Sequence, residues 1–158
     1  MKVTQRPATA EDLDLLYDIL RACMHDYVVQ TWGAWDGAFQ RSRFDAVTRP
    51  EHHVILECDG KPVGCVCLLR QPEELRLVRL FVLPAFQNRG IGSGILAELT
   101  GEADALGLPI RLRVLPVNPA QRLYERHGFT RVEGGNAEDP HYTMVRPPHA
   151  AVHARTKS

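Results

Sequence analysis

The feature that most restricts the fold of this chain is a β-strand pattern that runs into a glycine-bearing loop and then into an amphipathic helix. Residues 75–82, Leu-Arg-Leu-Val-Arg-Leu-Phe-Val, read as a strand. Leu83-Pro84-Ala85-Phe86 leaves that strand, and Gln87-Asn88-Arg89-Gly90-Ile91-Gly92-Ser93 follows at once. Ile95, Leu96, Leu99, Ala103 and Leu106 then trace one helical face that ends at Gly107 as a cap. Such a junction is a place to bind an anion. The first N–H groups of the helix have no intrahelical acceptor, and the positive end of the helix dipole lies there. Gly90 and Gly92 lack a Cβ, so phosphate oxygens can approach the backbone closely, and Arg89 adds a fixed positive charge. Glycines that only turn the chain would look the same, so the loop alone does not decide between turn and cradle.

Two familiar phosphate motifs are excluded. The P-loop pattern G-x-x-x-x-G-K-[ST] is absent. The dinucleotide fingerprint G-x-G-x-x-G would need glycine where the chain has Ile95, and the strand at 110–115 offers no acid at its end for a ribose. The loop therefore points to a phosphate carrier other than nicotinamide or ATP.

The rest of the chain alternates helical and strand patterns. Thr9 and Asp12 predict a helix start, and Leu13, Leu16, Leu20, Cys23 and Tyr27 recur at helical spacing over 10–29. Gly33 and Asp36-Gly37 interrupt that pattern, with Trp32 and Trp35 around them. Strands are expected at 54–58 and 63–69, joined by an Asp59-Gly60 hairpin turn, and again at 110–115, 129–132 and 142–145. Asn118-Pro119 offers a cap and first-turn proline for a short helix closed by Gly128. With no internal repeat and no linker, residues 1–146 are expected to form a single domain and 147–158 a disordered tail. Hydrophobic content of 44% against 24% charged residues is the ordinary globular balance. Equal numbers of basic and acidic residues, 19 of each, give a formal net charge of +0 and no general attraction to nucleic acid or anionic membrane. Cys23, Cys58, Cys65 and Cys67 contain no C-x-x-C pair and are read as reduced core thiols, so no metal is expected. The N-terminus shows no apolar leader and no segment approaches spanning length; a cytoplasmic protein is the default expectation.

Taken together, residues 87–92 resemble the Q/R-x-x-G-x-G/A signature of the GNAT superfamily of acetyl-CoA-dependent N-acetyltransferases, matching it at every defined position. Val82-Leu83-Pro84 before it strengthens the likeness. So does the stretch from Val114 to Phe129, which is similar to the family's second motif, a strand followed by asparagine and Leu-Tyr-Glu-x-x-Gly-Phe. The resemblance implies an α/β fold: a mixed, mostly antiparallel central sheet flanked by about four helices and splayed between its fourth and fifth strands. It also implies acetyl-CoA as acyl donor, held by Leu80, Phe81, Val82, Gln87, Asn88, Arg89, Gly90, Ile91, Gly92, Ser93, Asn118 and Tyr124.

Carried over residue by residue, the backbone amide of Leu80 polarises the thioester carbonyl, and Tyr124 is the general acid for the departing thiolate. The base is where this sequence departs from the family, which places a strand glutamate at the position of Arg76. Glu74 is the first substitute, although a solvated turn acid is the plainer reading of it; Glu73, His25, Asp26 and His141 are alternatives. The acceptor side implied by the family falls at Tyr27 to Gln40 and Glu133 to His141. There Tyr27, Trp32 and Trp35 with Asp36, Glu138 and Asp139 suit a cationic amine. Arg76 and Arg79 suit an acceptor that also carries a carboxylate. The expected reaction is acetyl transfer to a primary amine of a small molecule, amino acid or peptide, by direct attack in a ternary complex. The competing expectation, motivated by the missing strand glutamate, is a catalytically weak acyl-CoA-binding sensor. A homodimer stays open; nucleic-acid and membrane partners are not expected.

Overall fold

A computed structural model describes residues 2–149. Of the tail expected from 147 onward, residues 150–158 lie outside the described residues. Seven strands and four α-helices make an α/β fold, with strand order β1-β2-β3-β4-β5-β7-β6. The strands are β1 (Val3–Pro7), β2 (His53–Cys58), β3 (Lys61–Arg70), β4 (Leu75–Val82), β5 (Ile110–Val114), β6 (Thr130–Gly134) and β7 (Tyr142–Arg146). The helices are α1 (Leu13–Trp32), α2 (Gly37–Val47), α3 (Ile91–Leu106) and α4 (Ala120–Arg126). The sheet is mixed and mostly antiparallel, with β4 and β5 parallel. Pairing of β4 with β5 is registered over Leu75–Leu77 and Ile110–Leu112, while β4 itself runs on to Val82.

The chain divides into two compact units. The first comprises the chain up to Leu68 together with Val78–Gly92, and the second comprises Leu69–Leu77 together with the chain from Ser93 onward. The core of the first unit is Leu16, Tyr17, Ile19, Phe44, Ile55 and Cys65, with Trp35, Phe81 and Leu83 packed against it. Asp59 and Gly60 both hold left-handed backbone (φ 53° and 75°), as the two central residues of a tight hairpin between β2 and β3 require. Gly64 on β3 is needed for another reason: a Cβ built there would collide with the carbonyl oxygen of Phe81.

Two elements of this unit were not expected. β1 carries no period-two apolar pattern, and its pairing with β2 is joined by Arg6, which binds Asp12 at 2.9 Å and Glu57 at 3.1 Å. α2 falls on what reads as a break. Asp36 does not end the helical pattern but starts a new helix, its Oδ1 accepting the Phe39 N–H at 3.0 Å. α1 also runs further than expected, to Trp32, where Gly33 (φ 91°) closes it with its N–H on the Val29 carbonyl.

In the second unit, Leu75, Leu77, Leu96, Ala103, Ile110, Leu112, Phe129 and Met144 are buried. Arg146 on β7 is buried too, and is paired at both ends. Its Nη1 and Nη2 donate to Asp104 on α3 at 2.9 and 3.1 Å, and its Nε donates to the His127 carbonyl at 3.0 Å.

Candidate active site

Three features shape the loop between β4 and α3. Pro84–Phe86 forms one 3-10 turn, and the backbone then alternates: Asn88 (φ 62°) and Gly90 (φ 83°) are left-handed on either side of Arg89. Alternation of this kind turns successive N–H groups toward a common concavity that suits an anion. The side chain of Gln87 folds back, its Nε2 donating to the Val82 carbonyl at 2.9 Å, so this residue ties the loop to the end of β4. The same carbonyl accepts the Cys23 thiol at 3.3 Å. Gln87, Asn88, Arg89 and Gly90 are all exposed, and a Cβ built on Gly90 would meet no atom within 4 Å. The space above Gly90 is open.

α3 begins immediately after, with 16 residues and no acid in its first turn. Its dipole and unpaired N–H groups are therefore not neutralised by the helix itself. Arg89 lies over the Phe86 ring at 5.5 Å, which holds the guanidinium beside the loop. Residues 87–91 thus present a positive, glycine-lined cradle, the arrangement that a diphosphate fits.

In the second unit, Pro119 rather than Asn118 holds the cap position of α4, and Asn118 stands one residue before it, its Oδ1 accepting the Ala120 N–H at 2.9 Å. Tyr124 is 8% exposed, its ring packed on Phe129 at 5.7 Å, and burial pushes its phenol up to about 12. Its hydroxyl makes no hydrogen bond among the described residues. Since no wholly buried side-chain oxygen or nitrogen lacks a partner there, that hydroxyl reaches accessible space. His127, which the sequence reading assigned no role, binds Ser93 Oγ through Nε2 at 3.0 Å and so ties the first turn of α3 to the end of α4. Burial and the charges of Arg126 and Arg146 hold this histidine below its ordinary range, so it is neutral at physiological pH. It stands at an unspecified position of the second motif, where no sequence signal marks it.

The nominated bases are all engaged except one. Glu74 accepts from Arg111 at 3.1 Å; His25 contacts Asp26 at 3.0 Å; His141 Nδ1 contacts Asp139 Oδ1 at 2.7 Å. Glu73 is an exposed turn residue, and Arg76 is exposed on β4. On the acceptor side, Trp32 is 54% exposed, whereas Trp35 is packed against the first unit's core and lies 5.5 Å from His25. Tyr27 is half-buried, and burial raises its phenol. Asp36 is spent on capping α2, and Asp139 on Arg113 and His141. Arg79 is held in the first unit by Thr48, His53 and the Phe44 ring. The four cysteines are free thiols. Among the described residues no group of three or more His, Cys, Asp or Glu is placed to hold a metal ion, and no helix is long and apolar enough to cross a membrane.

The family model described as "Acetyltransferase (GNAT) domain" matches residues 49–131, that is 83 of the 158 residues. The chain belongs to the GNAT acetyltransferase family. No curated protein matches the sequence. Solved GNAT structures share the fold at low identity. The PaiA N-acetyltransferase of Thermoplasma acidophilum, in complex with coenzyme A, is 19% identical with a TM-score of 0.69, over 93% of this chain and 99% of that one. The ribosomal-protein-S18-alanine N-acetyltransferase of Escherichia coli is 21% identical with a TM-score of 0.67, over 96% and 97%. N-acetylglutamate synthase of Neisseria gonorrhoeae, complexed with coenzyme A and N-acetyl-glutamate, is 17% identical with a TM-score of 0.63. That likeness covers 94% of this chain but 36% of that one. The matched span contains both GNAT motifs, the loop at 87–92 and the stretch that ends at Phe129.

Proposed function

We propose that the protein transfers the acetyl group of acetyl-CoA to a primary amine of a small molecule, amino acid or peptide, by direct attack in a ternary complex. The observation that carries this reading is the cradle at 87–91: left-handed backbone at Asn88 and Gly90, open space above Gly90, and a helix whose first turn holds no acid. Coenzyme A bound to the Thermoplasma and Neisseria relatives supports the same ligand here.

Acetyl-CoA supplies an activated thioester carbonyl. The amides from Asn88 to Ser93 and Arg89 would bind its diphosphate, and Phe81, Val82 and Asn118 its pantetheine arm. The Leu80 N–H would donate to the carbonyl oxygen as charge develops there, a contact typically worth about 3 kcal/mol. Tyr124 would donate to the leaving sulfur. A phenol near 12 faces an ordinary thiol near 8.5, so outright proton transfer is uphill by roughly three orders of magnitude in equilibrium. The tyrosine therefore acts as a hydrogen-bond donor to the departing sulfur; coenzyme A leaves as the thiolate and takes its proton from solvent, while the proton that the amine gives up as its C–N bond forms goes to a separate base. For the amine's proton, the Asp139–His141 pair is the more organised acceptor, because the carboxylate orients the ring; Glu74 already holds Arg111.

The test is release of free thiol from acetyl-CoA across a panel of small amines, amino acids and peptides. Acceptor-dependent release supports the proposal. Tight acetyl-CoA binding with no release on any amine supports instead the weak-binding sensor, which the arginine at position 76 motivates.

A further inference from the structure

Arg79, held in the first unit, has no counter-ion among the described residues. Arg79 shares the face of β4 on which Leu75 and Leu77 are buried, because side chains of one parity point to one side of a strand. Its Nη1 donates to Thr48 Oγ1 at 3.2 Å and to His53 Nε2 at 2.9 Å, and its guanidinium lies 5.1 Å from the Phe44 ring centre. Thr48 and His53 are themselves buried. His53 Nδ1 sits 2.8 Å from the Arg49 carbonyl, which accepts only from a protonated nitrogen. The ring proton is thereby assigned to Nδ1, and Nε2 offers its lone pair to Arg79. Burial first, and then the charge of Arg79, keep this histidine below its ordinary range and hence neutral.

Every group that holds Arg79 is therefore uncharged. No carboxylate lies within ion-pair distance of it among the described residues. The acids that act on it electrostatically are the thiols of Cys65 and Cys67, both raised by burial, Cys65 to about 12, and so protonated at physiological pH. Arg146 makes the contrast: buried in the second unit, it has Asp104 across two hydrogen bonds. A guanidinium taken largely out of water without a counter-charge is costly, and a fold tolerates one where an anion is to be received. The receiving edge is also defined. Nη1 is occupied, Nε and Nη2 make no hydrogen bond among the described residues, and no wholly buried side-chain nitrogen is left without a partner. The Nε–Nη2 edge therefore faces accessible space, and it is an edge that takes a carboxylate through two parallel hydrogen bonds.

We propose that Arg79 anchors the acceptor by a carboxylate, so that the acceptor class is a small amine that is also a carboxylic acid, with His53 and Thr48 positioning the guanidinium. This rests on the acetyltransferase reading, under which the neighbouring residue Leu80 supplies the amide at the reacting carbonyl. Narrowing the acceptor in this way sets aside unsubstituted amines as preferred substrates.

The test compares acceptors that differ only at the carboxyl group. With acetyl-CoA saturating, each free amino acid is paired with its carboxamide and its decarboxylated amine, and kcat/KM is measured by thiol release. The acid of the best pair is expected to be favoured about 100-fold. Arg79→Gln should erase that preference, with the loss mainly in KM for the acceptor and KM for acetyl-CoA unchanged. Preference for the amide, or an acid preference that survives in Arg79→Gln, overturns the proposal. Two measurements judge the anchor without turnover. Millimolar glutamate or β-alanine should raise the melting temperature of the wild-type protein saturated with coenzyme A, and should not raise that of Arg79→Gln. Arg79→Met, which removes an uncompensated charge, should melt no lower than wild type. Indifference of the wild-type protein to both acids, or a marked drop in melting temperature for Arg79→Met, identifies Arg79 as structural. Absence of acetyl-CoA binding, by contrast, would fault the acetyltransferase reading and leave the carboxylate result to stand by itself.

Discussion

Under the proposed mechanism, Tyr124 is the single residue most open to test. A hydroxyl that donates a hydrogen bond to sulfur contributes less than a fully matched general acid, because its own proton is held too tightly by burial. Tyr124→Phe should lower kcat by roughly 100-fold and leave the acetyl-CoA dissociation constant within about twofold, as measured by steady-state kinetics beside calorimetry. Unchanged kcat would remove Tyr124 from the reaction. The resemblance nominates residues only where a motif fixes their type, as at Tyr124, Asn118 and the glycines at 90 and 92. Partnership was not legible. Nothing in the spacing tells that Gln87 will spend its amide on Val82, that Ser93 will meet His127, or that Arg79 will be boxed in by neutral groups from positions 44, 48 and 53. These are contacts across long sequence separations, and residue type leaves them undetermined.

Elements hold those residues in place through a few costly joints. Asp104 on α3 and Arg146 on β7 form one of them. Hydrogen bonding from Arg146 holds the Asp104 carboxyl down at about 2. A carboxyl depressed on folding stabilises fully above its unfolded value, near 3.9, and that contribution is lost as pH falls toward 2. Acid titration of stability should therefore show a loss between about pH 4 and 2, and Asp104→Ala should weaken that dependence. At neutral pH the same substitution should cost on the order of 2 kcal/mol by urea denaturation, less than a wholly buried pair because Asp104 is one-third exposed. A second joint is the close approach of β3 to β4 at Gly64, where the obstacle to any side chain is the backbone of Phe81. Gly64→Ala should lower stability by about 3 kcal/mol or more in the same assay. Strands and helices with strong apolar period, such as β3, β4 and α3, were legible from sequence. β1 and α2 were not, because their order comes from pairing and capping: β1 buries no side chain fully, and α2 buries only Phe44. The same Asp36-Gly37 that reads as an interruption is, once folded, a helix start.

At the scale of the molecule, the architecture follows from the order of its signals: a strand, a glycine loop and a long helix, then a short strand and a capped short helix. The likeness of that stretch to the GNAT signature implied the mixed α/β sheet, and the match to the GNAT domain over residues 49–131 covers the same stretch. The acceptor was not legible, because the stretches that the resemblance assigns to it, Tyr27 to Gln40 and Glu133 to His141, carry no motif. A ligand that binds the folded state alone must also stabilise it, so acetyl-CoA at 100 times its dissociation constant should add about 2.7 kcal/mol to unfolding. The most direct measurement is titration calorimetry of acetyl-CoA into the wild-type protein and into Gly90→Glu. The account predicts one-to-one binding to wild type and none to the variant, whose circular dichroism remains that of a folded protein. No binding to wild type, or undiminished binding to Gly90→Glu, would contradict it.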